Sequence, residues 1–156
     1  MQLEGEIHTD IALGNKFVLG LRGKAVVSSR GLLSNYTSTL AQAPAFTPTP
    51  HSQTIFNPAF RSTQYLAAGV IPIWKILNNL QFRNEFYRFA PFRQIYEGEN
   101  YVSYYGKAFT KHDFRGACTL VLSLSFPSIG LYANYYDYPL RIWHSGINLC
   151  FLVFTP

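Results

Sequence analysis

The sequence is short of charge, of long apolar runs and of basic clusters. Only 13% of its 156 residues are charged, about half the share of roughly 25% that is usual in soluble domains. No run reaches about 18 consecutive apolar residues, which excludes a transmembrane helix. Lysine and arginine are scattered singly, so the net charge of +5 forms no basic patch of the kind that nucleic-acid binding needs. We therefore expect no nucleic-acid partner.

Residues that could hold a metal or carry catalysis are also scarce. The two cysteines, Cys118 and Cys150, lie in apolar, strand-like runs without metal-ligand spacing. They fit best as small strand residues, although a disulfide between neighbouring strands stays open. The four histidines are dispersed, and only His112 stands beside a carboxylate, in His112-Asp113. We expect no metal, no cofactor and no catalytic residue, and we interpret His112-Asp113 as a surface pair.

The N-terminus does not have the pattern of a signal peptide. Met1 is followed at once by Gln2, Leu3 and Glu4, without the charged and apolar regions that secretion requires. The sequence therefore fits either a cytosolic protein or a segment cut from a longer one.

Apolar and polar residues alternate along most of the chain with a period of two, which is typical of β-strands. Aromatic residues make up 17% of the sequence and are also favoured in strands, whereas helical periodicity is almost absent. The alternation predicts strands over residues 3–13, 16–28, 64–76, 80–89, 116–126, 129–136 and 144–154. Pro72 cannot donate to a strand ladder, so we expect a bulge or a strand end there.

Three of the predicted strands carry charged residues at alternate positions, and these are Glu4, Glu6, Asp10, Arg22, Lys24, Arg83 and Glu85. The first strand is acidic on this face and the second is basic, so cross-strand charge pairs would stabilise the hairpin. Charged residues inside a membrane span must face water or each other. If the sheet spans a membrane, these residues therefore line a lumen.

The connections between the predicted strands alternate in length. Gly14-Asn15, Asn78-Asn79 and Pro127-Ser128 are tight turns, residues 29–63 and 90–115 are long loops, and residues 137–143 are of middling length. In an up-and-down meander all tight turns fall at one end, as in transmembrane β-barrels. With the low charge and the aromatic residues near strand ends, this predicts one all-β domain over residues 1–156. Its expected fold is an antiparallel up-and-down transmembrane β-barrel of about seven or eight strands per chain.

The seven predicted strands leave two unpaired edges, and their odd number places the two chain termini at opposite ends. Hydrocarbon offers no hydrogen-bonding partner to a free edge. The predicted barrel therefore needs further strands, either from missing sequence or from a second copy of the chain. We expect a homo-oligomer, most simply a dimer.

The last predicted strand carries a pattern that resembles the outer-membrane β-signal, which the barrel assembly machinery reads. A polar residue, His144, is followed two positions later by Gly146, and Leu149 and Phe151 occupy the fifth and seventh positions after His144. The chain departs from the usual pattern in ending on Thr155-Pro156 rather than on an aromatic residue.

The stretch FNPAFRSTQYLAAG, residues 56–69, resembles the loop-to-strand segment of the bacterial surface antigen family, the barrel assembly and secretion superfamily. In that family a loop arginine folds back into the lumen and pairs with an acidic strand residue. Arg61 matches this arginine, although Ser62 stands where the family has glycine. FRSTQYLAAG, LQFRNEFYRFAPF and the C-terminal strand are more narrowly similar to the C-terminal barrel of bacterial patatin-like phospholipases.

The resemblance implies a non-catalytic barrel in the bacterial outer membrane that anchors or translocates a patatin-like lipase domain. Its partners would be outer-membrane lipid and the barrel assembly machinery. The Gly-x-Ser-x-Gly motif of patatin lipases is absent from the sequence, so any catalytic domain lies outside it. An alternative is a soluble, lipocalin-like β-barrel that binds an apolar ligand and buries Ile147, Leu149 and Phe151 in its core. A third interpretation is an enzyme that uses His112-Asp113.

Overall fold

The computed structural model describes residues 1–49, 52–53, 55–123, 128–136 and 142–150, with the side chains of residues 143–147 in the last range. The strands of its main sheet are β1 (Gln2–Ala12), β2 (Phe17–Ser28), β3 (Gln64–Leu77), β4 (Leu80–Pro91), β7 (Asp113–Ser123), β8 (Ser128–Tyr136) and β9 (Ile142–Cys150). A second sheet consists of β5 (Arg93–Glu97) and β6 (Ser103–Ala108), and the helix α1 (Tyr36–Gln42) lies between β2 and β3 in the chain.

The main sheet is an antiparallel meander with the strand order β1-β2-β3-β4-β7-β8-β9. Strands that follow one another in the chain are neighbours, and the β5–β6 hairpin is an insertion between β4 and β7. The predicted all-β class and the antiparallel sheet are therefore confirmed, and the main sheet has seven strands, but the β5–β6 hairpin adds two strands that were not predicted. Over the described residues the sheet begins at β1 and ends at β9, so it is open and the predicted closed barrel is not seen.

The turns follow the prediction in part. Asn78-Asn79 separates β3 from β4 as expected, but the first connection is longer than two residues, because β1 ends at Ala12 and β2 begins at Phe17. Gly14 in this connection has φ +135°, a backbone conformation that favours glycine. The predicted turn at Pro127-Ser128 lies outside the described residues except for Ser128, which begins β8.

Several strands are longer than the sequence predicted. β3 continues through Pro72 to Leu77, so the proline does not end the strand. The predicted loop over residues 90–115 is mostly strand, since β4 reaches Pro91, the β5–β6 hairpin follows, and β7 already begins at Asp113. This hairpin was not predicted, because its sequence is rich in tyrosine and mixed in charge. Its register is irregular between Arg93 and Ile95.

Contacts divide the chain into two compact units. Unit 1 contains Met1–Ile7, Gly23–Ala68 and Arg88–Phe114, and unit 2 contains His8–Arg22, Gly69–Tyr87 and the described part of Arg115–Pro156.

In unit 1 the described residues of the connection over residues 29–63 form local structure of their own. The Asn35 side chain accepts a hydrogen bond of 3.1 Å from Ser38 N and so caps α1, because the first amides of a helix lack intrahelical partners. The helix has seven residues, too few for helical periodicity to be visible in the sequence. Buried Leu40 and Ala43 then pack with Ile95 of β5 in a small apolar core.

A cluster of aromatic rings forms the second part of the core of unit 1. Phe89 of β4 lies 4.8 Å from Tyr65, 5.6 Å from Phe60 and 6.0 Å from Phe46, measured between ring centroids. The Tyr65 hydroxyl donates to Ala45 O at 3.1 Å. Rings from the 29–63 connection therefore pack directly on the side chains of β3 and β4.

In unit 2 tyrosine rings pack against glycines of neighbouring strands. A Cβ at Gly69 of β3 would lie 2.3 Å from the Tyr87 ring of β4, and one at Gly146 of β9 would lie 2.6 Å from the Tyr132 hydroxyl oxygen of β8. A side chain at either position would overlap the tyrosine, which would then have to shift. The same packing occurs in unit 1 between Gly106 and Tyr96.

The two cysteines lie on strands that are not neighbours. Cys118 is a free cysteine on β7 and is opposite Ala133 of β8. Cys150 is on β9, opposite Ser128 of β8. Because β8 separates the two strands, the disulfide between neighbouring strands that the sequence left open does not occur.

The two faces of the sheet in unit 2 differ in chemistry and in exposure. One side, called the polar face, carries buried polar and aromatic residues, namely Glu85, Tyr87, Arg115, Asn134 and Tyr136. The other side, called the apolar face, carries exposed apolar residues, namely Ile11, Val70, Trp74, Ile76, Phe86, Leu131, Trp143 and Ile147. Exposure is thus inverted relative to a soluble sheet, whose apolar face is covered.

Candidate functional site

A buried charge cluster lies on the polar face of β4 in unit 2. Arg83, Glu85 and Tyr87 are spaced by two residues and therefore project from the same face of the strand. Arg83 Nε is 2.7 Å from Glu85 Oε1, and the Tyr87 hydroxyl donates to Glu85 Oε2 at 2.6 Å. Glu85 is only 6% exposed, so its carboxylate has exchanged water for these two partners. The predicted residues Arg83 and Glu85 are in contact, and their lumenal role stays a prediction.

Arg115 extends the cluster from β7. It is directly opposite Tyr136 of β8, its Nη2 donates to the Tyr136 hydroxyl oxygen at 2.6 Å, and its Cζ lies 4.5 Å from the Tyr136 ring centroid. It also interacts electrostatically with Glu85 and Tyr87. Arg115 is 1% exposed. A buried cation of this kind is stable only when its neighbours replace water, as these groups do.

Sequence reasoning missed Arg115 because it began this strand at Gly116 and assigned the arginine to a loop. The signal that could have found it is the alternation itself. Asp113, Arg115 and Ala117 share one face of β7, and all three are buried. Extending the period-two pattern by three residues would have placed Arg115 on the polar face.

The predicted charges of the first hairpin in unit 1 form ion pairs. Lys24 Nζ of β2 lies 2.6 Å from Glu4 Oε1 and 3.8 Å from Glu6 Oε2, both on β1. Cross-strand pairing of the acidic and basic strands is therefore present as predicted. Both glutamates are on an edge strand that is exposed along its whole length, so they are more solvated than Glu85.

The remaining predicted charges, Asp10 and Arg22, belong to unit 2. Asp10 Oδ1 lies 3.3 Å from His8 Nε2, on the same strand. Arg22 is half-buried on β2 and interacts electrostatically with Tyr87. Arg22 thus lies near the cluster around Glu85.

Arg61 lies in unit 1, immediately before β3. Its Nη1 donates to Leu40 O at 3.1 Å and to Ala43 O at 3.2 Å, and its Cζ lies 4.4 Å from the Phe56 ring centroid. Burial lowers the pKa of Arg61, although an arginine keeps its charge in proteins. Cations are favoured beside the free carbonyls at a helix C-terminus. Arg61 therefore links the end of the 29–63 connection to the C-terminus of α1. The acidic strand residue that the family resemblance implies as its partner is not among these contacts.

Three of the four positions of the predicted β-signal lie on β9. His144 is opposite Asn134, and Gly146 is opposite Tyr132, whose ring occupies the space above it. The backbone of Leu149 lies in β9 opposite Ile129 of β8. Phe151 lies outside the described residues. Gly146 therefore has a packing role in addition to any role in recognition.

His112 and Asp113 differ in exposure and in their surroundings. Asp113 is 4% exposed on β7 and lies 3.7 Å from Lys111 Nζ. His112 precedes the strand and is exposed. Among the residues that the structure describes, no group of three or more His, Cys, Asp or Glu side chains could hold a metal ion.

A cavity of about 530 Å³ opens in unit 2 beside the turns. Its lining includes two lysines, Lys16 and Lys75, together with Asn79, Gln81 and Ser123. Ser123 N donates to Asn79 O at 2.7 Å, which joins β7 to the turn before β4. The cavity was not expected from the sequence, because its residues are far apart in the chain.

Comparisons with protein-family models, with curated proteins and with solved structures found nothing that matches this chain. No α-helix within the described ranges has the length and hydrophobicity that crossing a membrane requires.

Proposed function

We propose that the chain is a β-barrel segment embedded in a membrane, with its apolar face against lipid and its polar face toward an aqueous lumen. The inverted exposure carries this proposal. Arg115 and Glu85 are 1% and 6% exposed, whereas Ile7 and Ile147 are 74% and 66% exposed. In water a large exposed apolar surface is unfavourable, but in a bilayer the same arrangement is the stable one.

Strand lengths support the proposal. β1, β2, β3, β4 and β7 have 11 to 14 residues, and a tilted strand needs about 9–11 residues to cross the hydrocarbon core. β5 and β6 have five and six residues, which suits a hairpin outside the membrane.

Aromatic pairs on the apolar face of unit 2 support it further. Trp74 lies 5.1 Å from Phe17 and 6.1 Å from Phe82, and Trp143 lies 5.2 Å from Tyr135, between ring centroids. Trp74 and Trp143 are exposed. Tryptophan and tyrosine favour the interface between lipid and water, so these clusters fit an aromatic girdle.

The two sheet edges require a partner in a membrane, and we propose a second copy of the chain. β1 is the edge strand of the described sheet and is exposed along its whole length, and the outer backbone groups of an edge strand must be paired in hydrocarbon. Strand addition between two copies, or strands of the same protein outside this sequence, would close the barrel.

The resemblance to patatin-like phospholipase barrels extends the proposal to a role. The chain would anchor or translocate such a lipase in the bacterial outer membrane, without catalysis of its own. Its last strand would be read by the barrel assembly machinery. The parent protein would then carry a Gly-x-Ser-x-Gly domain, which sequencing upstream of Met1 would reveal.

Spin labels on adjacent residues of β7 test lipid contact. Leu120 projects from the apolar face and Thr119 from the polar face, and both are half-buried. Leu120→Cys and Thr119→Cys are made in a Cys118→Ala, Cys150→Ala background and refolded into vesicles. A label at 120 should be reached by oxygen and not by a nickel chelate, and a label at 119 should show the reverse.

The alternative, a soluble lipocalin-like barrel, predicts a monomer that folds without detergent, with neither label in contact with lipid. That outcome would reject the membrane proposal. The membrane proposal predicts detergent-dependent folding, heat-modifiable gel migration and two copies per particle by light scattering.

A further inference from the structure

Two lysines stand side by side at the turn end of unit 2. Lys75 N donates to Lys16 O at 2.8 Å, which places the two residues directly opposite each other across neighbouring strands. The adjacent pair, Phe17 and Trp74, confirms this register, since their ring centroids are 5.1 Å apart. Opposite residues project from the same face at a Cβ separation of about 4.5–5.5 Å. Like charges in this arrangement destabilise a sheet.

Among the described residues, no acidic partner offsets this repulsion. Neither Lys16 nor Lys75 has an ion pair or a side-chain hydrogen bond in the part of the chain that the structure describes. The described residues that line the cavity of about 530 Å³ with both lysines include no aspartate or glutamate. Elsewhere in the hairpin a lysine has an acidic partner, as Lys24 does at 2.6 Å from Glu4. The two ammonium groups therefore form a local positive site.

The other residues that line the cavity suit a ligand that combines an anionic group with an apolar or neutral part. Asn79, Gln81 and Ser123 supply amide and hydroxyl groups that can donate hydrogen bonds. Leu77 and Leu80 supply an apolar wall. The volume lies within the range of about 300–1,000 Å³ that is usual for small-molecule sites, and is larger than a single inorganic anion needs.

We propose that this cavity binds a phosphate-bearing ligand, with the phosphate between the ammonium groups of Lys16 and Lys75. Lysine is a common phosphate ligand because its ammonium acts as a compact point charge. A phosphate there replaces the repulsion between the lysines by two attractions, while the rest of the molecule contacts Leu77 and Leu80. The ligand is either a water-soluble phosphorylated molecule or the headgroup of a phospholipid.

Calorimetric titration with glycerol 1-phosphate tests the site. The wild-type chain should bind saturably, and Lys16→Gln and Lys75→Gln should each weaken the affinity at least tenfold. Lys75→Arg should retain binding because it keeps the charge, which excludes misfolding as the cause of a loss. Lys107→Gln, at an exposed lysine of β6 outside the cavity, is the matched control and should bind as the wild type does. Absence of saturable binding, or equal affinity in all variants, would overturn the proposal.

A second measurement uses the repulsion itself. At low ionic strength without phosphate, Lys75→Gln should be at least as stable to urea as the wild type. Glycerol 1-phosphate should then stabilise the wild type and Lys107→Gln, and leave Lys75→Gln unchanged. A Lys75→Gln variant that phosphate stabilises as much as the wild type would contradict the site.

The source of the phosphate is distinguished by a third titration, with dihexanoyl-phosphatidylglycerol below its micelle concentration. Tighter binding than that of glycerol 1-phosphate assigns the site to a lipid headgroup, and equal or weaker binding assigns it to a soluble ligand. Either result retains the phosphate site. The titrations use the chain in whichever medium holds it folded, buffer or zwitterionic detergent, so the phosphate site can fail while the membrane proposal stands, and the reverse.

Discussion

The ring of Tyr87 lies against Gly69 on the neighbouring strand, so closely that a Cβ at residue 69 would stand 2.3 Å from Tyr87 Cδ1. Tyr87 is held in this position, because its hydroxyl is bound to Glu85 Oε2 at 2.6 Å and its ring is buried. The glycine therefore sets where the Tyr87 hydroxyl can reach, and through it the orientation of the buried carboxylate.

Gly69→Ala should destabilise the fold. The added methyl group overlaps the ring, and overpacking of this kind costs about 1–3 kcal/mol. Gly23→Ala is the matched control, since a Cβ at Gly23 of β2 would meet nothing within 4 Å. Urea unfolding of the two variants measures the difference. Equal midpoints would mean that the Tyr87 ring moves aside without cost.

Arg115→Met should be among the most destabilising single substitutions in unit 2. It removes the hydrogen bond to Tyr136 and takes one of the buried cations away from the Glu85 carboxylate, which keeps only Arg83, at 2.7 Å, as a close ion-pair partner among the described residues. Removing one partner of a buried charge cluster costs about 3–5 kcal/mol. Arg88→Met, at an exposed arginine of β4, should change stability by no more than about 0.5 kcal/mol.

A double-mutant cycle assigns this cost. If the 2.6 Å contact between Arg115 Nη2 and the Tyr136 hydroxyl contributes, then Arg115→Met and Tyr136→Phe should be non-additive by about 0.5–3 kcal/mol. Additive effects would place the contribution of Arg115 in its interaction with Glu85 instead.

Arg61→Ala should loosen the connection over residues 29–63. The variant loses both hydrogen bonds to the carbonyls of Leu40 and Ala43, and a hydrogen bond from a charged donor contributes about 1.5–3 kcal/mol. If cleavage follows local opening, limited proteolysis in this segment should be roughly 10- to 150-fold faster. Arg30→Ala is the control, because Arg30 donates to Gln42 O from an exposed position and should matter much less. Equal cleavage rates would show that α1 is held by its apolar contacts alone.

Much of the main sheet could be predicted from the sequence because alternation is a local signal. The faces assigned to Lys24, Glu85 and Ile147 depend only on a period of two, and the structure places all three as expected. The predicted strand ends were less accurate. β4 ends at Pro91 and β7 begins at Asp113, in mixed sequence where apolar and polar residues no longer alternate regularly. α1 was not predicted because it has only seven residues, too few for helical periodicity to be detected. Asn35 is nevertheless a typical N-cap residue.

The contacts that matter most in the site could not be predicted, because they join residues that are distant in sequence. Nothing local indicates that Tyr132 covers Gly146, or that Lys16 lies opposite Lys75. Both depend on strand register, which is set by turn lengths and by packing across the sheet. The first turn is longer than Gly14-Asn15 alone would suggest, and such shifts change which residues meet.

Leu131→Arg distinguishes a lipid-facing sheet from a soluble one. Leu131 is 50% exposed on the apolar face of β8, so in water an arginine there should change stability by no more than about 0.5 kcal/mol. In a bilayer the same substitution should cost about 2–4 kcal/mol near the midplane, because the guanidinium must be dehydrated or reach the interface. Unfolding of the chain refolded into vesicles measures the cost, and Tyr104→Arg, at an exposed residue of β6, serves as the control. If Leu131→Arg and Tyr104→Arg had the same small effect in vesicles, the apolar face of β8 would not be in contact with hydrocarbon, and the exposed leucine would need a protein partner instead.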